Sequence, residues 1–174
     1  MARTATAAKK TAAKTAAQPR KRATKMAAIS DLTDLRSLHG IADALARSAQ
    51  RLGEALDKGG LDDALLANFD LGIGIKAVLD SGCDIPEDVL STVQRVAGYI
   101  TAATLAAENG ITRGQVLKLI EVQLAVAQTL IEAALRKMVA DRAYYRWLEA
   151  GCPADTAHDD WLAAERDIAE ALGC

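Results

Sequence analysis

The fold is decided by residues 112–149, which read TRGQVLKLIEVQLAVAQTLIEAALRKMVADRAYYRWLE. Apolar residues recur here in alternating steps of three and four, the spacing that places side chains on one stripe of an α-helix. The first stripe consists of Leu117, Ile120, Leu124, Ala127, Ile131, Ala134 and Met138. The second stripe lies one position earlier and consists of Val116, Leu119, Gln123, Val126, Leu130 and Ala133. We therefore predict one long helix that needs partners on more than one side.

The partners of this long helix are either other helices of the same chain or a second subunit. We assign Leu119, Val126 and Leu130 of the second stripe to contact with a second copy, which predicts a homo-oligomer. Charged residues interrupt the apolar run at Lys118 and Glu121, so this helix is not predicted to span a membrane.

Three shorter helices are predicted before the long one. The first begins near Ser30 or Asp31 and ends at Gly59, and its apolar stripe is Leu35, Leu38, Ala42, Leu45, Ala49, Leu52 and Leu56. The second covers residues 61–79, with an apolar face made by Leu65, Leu66, Phe69, Ile73 and Ala77. The third runs to about Glu108 along Val89, Val93, Val96, Ile100, Ala103 and Ala107. Four helices joined by short turns predict an all-α antiparallel bundle.

Capping signals set the predicted helix boundaries. Asp84 and Glu87 form a capping pattern around Pro86, which is tolerated in a first turn. Thr112 and Gln115 repeat that pattern at the start of the long helix. The glycines of residues 72–74 interrupt the second helix, and we interpret them as a kink or a close approach between helices. The predicted organisation is an arm over residues 1–28, a bundle over 29–140 and a C-terminal unit over 141–174.

The N-terminal arm is strongly basic. Its first 25 residues contain eight Lys or Arg and no acidic residue, whereas the remainder has 13 basic and 23 acidic residues, a net charge of −10. The segment has almost no large apolar side chain, so we predict that it is disordered on its own. Its composition resembles the Lys/Ala-rich tails of histone-like bacterial proteins. The residues predicted to neutralise nucleic-acid phosphates are Lys9, Lys10, Lys14, Arg20, Lys21, Arg22 and Lys25.

Two other interpretations of the arm stay open. A charge run also serves as a solubilising tether, and a basic, acid-free, Thr-rich segment is compatible with an organelle transit peptide. A secretory signal is not predicted, because no apolar run of the required length lies near the start.

Aromatic residues are concentrated near the C-terminus. Both tryptophans, Trp147 and Trp161, and two of the three tyrosines lie there. Gly151 is predicted to end the long helix, Pro153 blocks its continuation, and Asp155 or Asp159 is suited to cap a terminal helix. We therefore predict a helical hairpin in which the two tryptophan rings face each other.

The order of residues in this hairpin resembles a known family. The chain reads Ala-Tyr-x-x-Trp, then Glu-x-Gly-x-Pro, then Trp-x-x-Ala-Glu over residues 143–167, similar to the bacterial family called domain of unknown function 2934. The family pattern usually has Gly two positions after the Pro, where this chain has Asp155. The resemblance implies a compact helical fold and a bacterial context, with no established activity. The residues that we assign to a protein partner are Tyr144, Trp147, Gly151, Pro153, Trp161 and Glu165.

Residues suited to catalysis or metal binding are few. The cluster of His158, Asp159, Asp160 and Glu165 is interpreted as helix capping and solvation, since acidic residues at a helix start are favourable without any further role. Three scattered cysteines lack metal-ligand spacing and are typical of free thiols in a reducing cytoplasm. No catalytic residue, metal or cofactor is predicted, and the chain is not predicted to be an enzyme.

Two functions agree with these patterns. The first is a cytoplasmic, self-associating helical scaffold whose basic arm binds nucleic acid non-specifically and whose hairpin binds a protein partner. The alternative is a structural protein that associates with granules or surfaces, since long amphipathic helices and Lys/Ala-rich tails are broadly similar to those of the phasins.

Overall fold

The computed structural model describes residues 34–82 and 85–173, and within these ranges the chain forms helices and no strands. The five α-helices are α1 Leu38–Lys58, α2 Leu61–Asp80, α3 Glu87–Ala106, α4 Arg113–Glu149 and α5 Ala157–Leu172. Short 3₁₀ turns lie at Asp34–Arg36 and Ala107–Asn109. The prediction of an all-α fold is confirmed. The whole predicted arm, residues 1–28, lies outside the described residues.

The first four helices form an antiparallel bundle in which each helix packs against two neighbours. Helix α1 contacts α2 and α4, and α3 contacts the other sides of the same two helices. Arg113 Nη2 lies 3.4 Å from Asp57 Oδ1, which joins the start of α4 to the end of α1. With 37 residues, α4 is about 55 Å long, whereas helices of 20 residues are about 30 Å long. The last third of α4 therefore projects beyond the bundle, and α5 packs against it.

Helix α1 begins later than predicted, because Ser37 provides its cap. Ser37 has an extended backbone, and its Oγ accepts a hydrogen bond from the Gly40 amide at 3.0 Å. Residues 30–33 lie outside the described ranges. The predicted stripe is confirmed from Leu35 to Leu52, where every member is buried, and Leu56 is half-buried.

Helix α2 buries Leu65 of its predicted face but otherwise turns a different face to the core. Leu66 and Ile73 were expected to be buried but are 52% and 45% exposed, while Leu71 and Ile75 lie in the core. The helix is continuous, so the glycines do not interrupt it. Gly72 instead allows close packing, because a Cβ built there would lie 2.7 Å from Thr101 Oγ1 on α3. The close-approach interpretation is therefore confirmed.

The boundaries of α4 agree with the prediction. Thr112 Oγ1 accepts from the Gln115 amide, and Gln115 Oε1 accepts from the Thr112 amide at 2.8 Å, which completes a capping box. Helix α3 starts at Glu87 with Pro86 at its N-cap position, one residue outside the predicted first turn. The predicted cap Asp84 lies outside the described residues.

The core of the bundle contains one polar layer. Four polar residues are buried among the described side chains, one from each helix: Ser48, Asn68, Thr104 and Gln123. Ser48 Oγ donates to Asn68 Oδ1 at 2.8 Å, and Asn68 Nδ2 donates to Thr104 Oγ1 at 3.1 Å. Hydrogen bonds therefore join α1, α2 and α3 inside the apolar core, where an unpaired polar group is costly.

Candidate functional site

The outer face of α4 carries an exposed apolar ladder formed by Leu117, Leu124, Ile131 and Met138. These four side chains are 48%, 48%, 41% and 45% exposed, and each lies seven residues after the previous one. The other α4 stripe faces the interior, where Val116, Leu119, Gln123 and Leu130 are fully buried. A regular exposed apolar row of this kind is typical of an interaction surface.

The predicted assignment of the two stripes therefore changes. Leu119 and Leu130 have 0% exposure and pack against the other bundle helices, and Val126 is half-buried against the same core. These three residues were assigned to a second subunit, but the monomer already covers them. Within the bundle, the large apolar side chains of α4 that the other helices leave exposed are the four residues of the ladder.

The ladder has α1 near one edge and hydrogen-bonded polar groups along the other. A Cβ added at Gly53 of α1 would lie 4.0 Å from Ile120 Cδ1, so Ile120, three residues after Leu117, faces α1. Along the outer edge, Lys118 Nζ pairs with Glu121 Oε2 at 3.0 Å, and Gln128 Nε2 donates to Glu132 Oε1 at 3.1 Å. Lys118 and Glu121 therefore compensate each other's charge, whereas Glu132 is hydrogen-bonded to a neutral amide and keeps its negative charge next to Ile131.

The C-terminal hairpin is built on a helix-ending turn around Gly151. The Cys152 amide donates to Trp147 O at 3.0 Å, and the Gly151 amide donates to Leu148 O at 3.0 Å. These two bonds form a Schellman motif, which requires the left-handed backbone that Gly151 adopts at φ 84°. Trp147 Nε1 then donates to Pro153 O at 3.0 Å, which fixes the turn against α4.

Polar contacts hold α5 against α4. Arg142 Nε donates to Asp167 Oδ2 at 3.0 Å, and Arg146 Nη1 donates to the same oxygen at 3.2 Å. The hydrogen bond from Arg142 holds the pKa of the Asp167 carboxyl below its ordinary value, and the positive charges of both arginines add to this effect. Ala164 is the one residue of α5 that is buried.

The hairpin residues assigned to a partner have different environments. Tyr144 is 55% exposed, and its ring lies 6.0 Å from the ring of Trp147, which is half-buried. Trp161 is half-buried, and its Nε1 donates to Glu165 Oε1 at 2.8 Å.

Other predicted contacts in the hairpin are not formed. Among the described ring contacts none joins the two tryptophans, so the expected ring-to-ring packing was wrong. Each indole N–H instead has a partner in its own helix or turn. Pro153 is half-buried in the turn. Neither predicted acidic cap is used, since α5 has Thr156 at its N-cap position and no side-chain cap.

Asp155 occupies the position where the family pattern has Gly, and its backbone explains that pattern. Its φ is 65°, in the left-handed region that favours glycine. Aspartate tolerates this region better than most residues. The turn therefore keeps the geometry of the pattern with a different residue.

A cavity of about 440 Å³ lies between the start of α2 and the end of α3. It is lined by the carboxylates Asp62 and Asp63, by the apolar side chains Leu66, Phe69 and Leu105, and by Thr104 of the polar layer. Sequence reasoning missed this cavity because it placed Leu66 in the core. Gly72 and Asn68 could have indicated the inner face of α2 in the sequence, since both lie on that face and are buried.

The remaining predicted residues do not form a site in the described structure. The arm residues Lys9, Lys10, Lys14, Arg20, Lys21, Arg22 and Lys25 lie outside the described ranges. His39 and His158 are exposed, and no group of three potential metal ligands occurs between residues 34 and 173 where the chain is described. No helix there is long and apolar enough to cross a membrane.

Comparison with known families agrees with the predicted C-terminal resemblance. Residues 134–170 match the family described as "Protein of unknown function (DUF2934)", a segment that covers the projecting end of α4, the Gly151 turn and most of α5. Neither the curated proteins nor the solved structures contain a match to the chain. The C-terminal hairpin thus matches the DUF2934 family model, and one continuous helix joins it to the four-helix bundle.

Proposed function

We propose that this protein is a non-enzymatic helical scaffold that self-associates through the exposed ladder of α4, with a basic arm that binds nucleic acid non-specifically. The exposed ladder is the main support for self-association. Its four large apolar side chains are 41–48% exposed on a helix whose other stripe is already buried. Burying such a row against a second copy removes apolar surface from water, which is the main driving force of association.

The spacing of the ladder suits a two-fold pairing. Residues 117–138 span about 32 Å of helix. In an antiparallel pair, Leu117 lies opposite the partner's Met138, and Leu124 lies opposite the partner's Ile131. Apolar groups then meet along the whole ladder, and the same surface serves both copies, as a closed dimer requires.

Sedimentation velocity of the full chain at increasing concentration tests this association. Ile131→Asp places a charge in the ladder, and we expect it to weaken association by about ten-fold or more, because a buried unpaired charge is costly. Thr129→Asp is the matched control, since it changes another exposed β-branched residue of α4 away from the ladder. A wild-type chain that stays monomeric, or equal weakening by both variants, would refute the proposal.

The nucleic-acid part rests on the eight cations of the arm. Binding to duplex DNA should weaken steeply as salt rises, because neutralised phosphates release counterions. A gel-shift series at increasing salt compares the full chain with a variant lacking residues 1–25. Unchanged affinity after the deletion would eliminate the arm as the contact.

A phasin-like structural role is the second candidate, and the exposed Leu66 and Ile73 on α2 favour it. These side chains give the bundle a second apolar surface on a helix that does not contact α4. Cell fractionation tests this role. Recovery with granules supports it, whereas a wholly soluble protein excludes it.

A further inference from the structure

The cavity between α2 and α3 combines acidic and apolar walls. Asp62 and Asp63 lie in the first turn of α2 and line the cavity. Leu66 and Leu105 are 52% and 50% exposed, and together with Phe69 they form the apolar wall of the cavity. Neither carboxylate makes an ion pair with another described residue. The cavity therefore offers two carboxylates without ion-pair partners beside uncovered apolar surface.

This combination fits a lysine or arginine side chain. Both have an aliphatic stem that packs on apolar surface and a charged end group that stays near solvent. The hydroxyl of Thr104 is already engaged, since it accepts from Asn68 Nδ2 at 3.1 Å and donates to Ile100 O at 2.9 Å. A bound Lys or Arg side chain would therefore contact the apolar wall of the cavity and the two carboxylates, and not the Thr104 hydroxyl.

A neighbouring cavity shows why the α2–α3 cavity is the better site for a cation. The second cavity, of about 320 Å³ between α1 and α2, is lined by Arg51 and Lys58 in addition to Glu54 and Asp63. Its own cations repel another positive side chain. The α2–α3 cavity has only carboxylates among its charged residues.

The basic arm has the right charge and enters the fold within reach. The turn Asp34–Arg36 contacts α1 and α2, and because α1 starts where α2 ends, the arm joins the bundle near the far end of α2. Helix α2 has 20 residues and is about 30 Å long. An extended chain covers about 30 Å in nine residues. Lys25 lies nine residues before residue 34, so it is the first positively charged residue of the arm that can reach the cavity. Arg22 is the next.

We propose that the basic arm docks on its own chain in the α2–α3 cavity, with Lys25 and the Arg20–Arg22 cluster against Asp62 and Asp63. The docking does not depend on nucleic-acid binding or on self-association. Short tethering favours it, because a linked segment is present at a high effective concentration. Added salt opposes it, because the charges are exposed to solvent.

Limited trypsin digestion of the full chain tests the docking, with cleavage after Lys21, Arg22 and Lys25 followed by mass spectrometry. The double variant Asp62→Asn with Asp63→Asn removes the charge and keeps the shape. We expect this variant to be cleaved about two- to ten-fold faster than wild type at low salt, because it loses two exposed ion pairs with the arm. The rates should converge at about 1 M salt.

The matched control is Glu87→Gln with Asp88→Asn. These residues also lie in the first turn of a helix of 20 residues, but they do not line the cavity. Unchanged cleavage in this control supports the docking. If both double variants are cleaved equally faster, the arm is attracted to the acidic protein surface in general, and the docking proposal is overturned. The proposal is also overturned if the cavity variant is cleaved no faster than wild type.

Two further measurements separate the remaining explanations. Leu66→Ser should also accelerate cleavage, because the stem of the docked side chain loses its apolar wall. An unchanged rate in Leu66→Ser would overturn the assignment to this cavity. Protection that is independent of protein concentration supports docking on the same chain, and protection that rises with concentration would assign the arm to a second copy instead.

Discussion

Helix α4 passes through two regions that are stabilised differently. In the bundle, its Leu119 and Leu130 are fully buried in the apolar core. In the hairpin, the same helix contributes Arg142 and Arg146, which share one oxygen of Asp167. Apolar burial dominates the first region, and directional polar contacts dominate the second.

This difference predicts different responses to mutation and to solvent. Apolar burial is insensitive to salt and to acid, but a lost side chain leaves a cavity that the core cannot fill. Ion pairs at a surface are individually weak and are screened by salt. The bundle should therefore respond most to changes of side-chain volume, and the hairpin to changes of charge and backbone geometry.

The largest expected effect is in the bundle core. Leu130→Ala should lower the free energy of unfolding by about 3 kcal/mol, because it removes a fully buried side chain and leaves a cavity. Leu148→Ala, at a 41% exposed position in the hairpin, should cost less than about 1 kcal/mol. Urea unfolding followed by circular dichroism measures both. Similar costs would show that the hairpin is part of the same core.

The next effect concerns the contact between α2 and α3. Gly72→Ala should cost about 1–3 kcal/mol, because the new Cβ would lie 3.2 Å from Ala97 O as well as close to Thr101 Oγ1. Gly98→Ala is the control, since its Cβ would meet no atom within 4 Å and it lies inside α3. That variant should stabilise the protein by about 0.5–1 kcal/mol. Thermal unfolding of both distinguishes them, and a neutral Gly72→Ala would contradict the close approach.

A smaller effect is expected in the hairpin turn. Gly151→Ala should cost about 1 kcal/mol, because alanine disfavours the left-handed backbone at φ 84°. Asp155→Gly should instead stabilise the turn by less than about 1 kcal/mol, since glycine adopts φ 65° freely. Hydrogen exchange of the α5 amides reports both changes. Faster exchange in Asp155→Gly would mean that the aspartate side chain itself stabilises the turn.

The smallest effect is the acid response of the hairpin. The folded-state pKa of Asp167 is lowered, chiefly by the Arg142 hydrogen bond, so its contribution is complete above the ordinary value of 3.8. The contribution is lost as the pH falls through the lower folded-state pKa. Hydrogen exchange of α5 should therefore accelerate in acid, and Asp167→Asn should remove this part of the response. An unchanged pH profile in Asp167→Asn would contradict the assignment.

The sequence predicted the elements better than it predicted which face of each element is buried. The ends of α4 were predictable because Thr112 and Gln115 form a cap and Gly151 ends the helix. The buried stripe of α4 was not predictable, because both stripes are apolar and the inner one even contains Gln123. Helix α2 posed the same difficulty, since Leu66 and Leu71 lie on different faces and both are apolar.

The candidate interaction surface was harder to predict than the fold for the same reason. The residues of the ladder were recognisable as apolar and regular, but only the packing of α1 against α4 decides that they remain outside. The hairpin turn was recognisable from Gly151 and Pro153. The ion pairs of Asp167 depend on how far α5 folds back, which no local pattern specifies.

The spacing of the ladder also determines the path of any helix that follows it. A straight α-helix has 3.6 residues per turn, so a seven-residue repeat drifts by about 20° per step around its axis. From Leu117 to Met138 the ladder therefore turns by about 60° around α4. A rigid rod laid parallel to α4 would lose contact before the end, whereas a helix that winds left-handed, crossing at about 20°, would keep contact throughout.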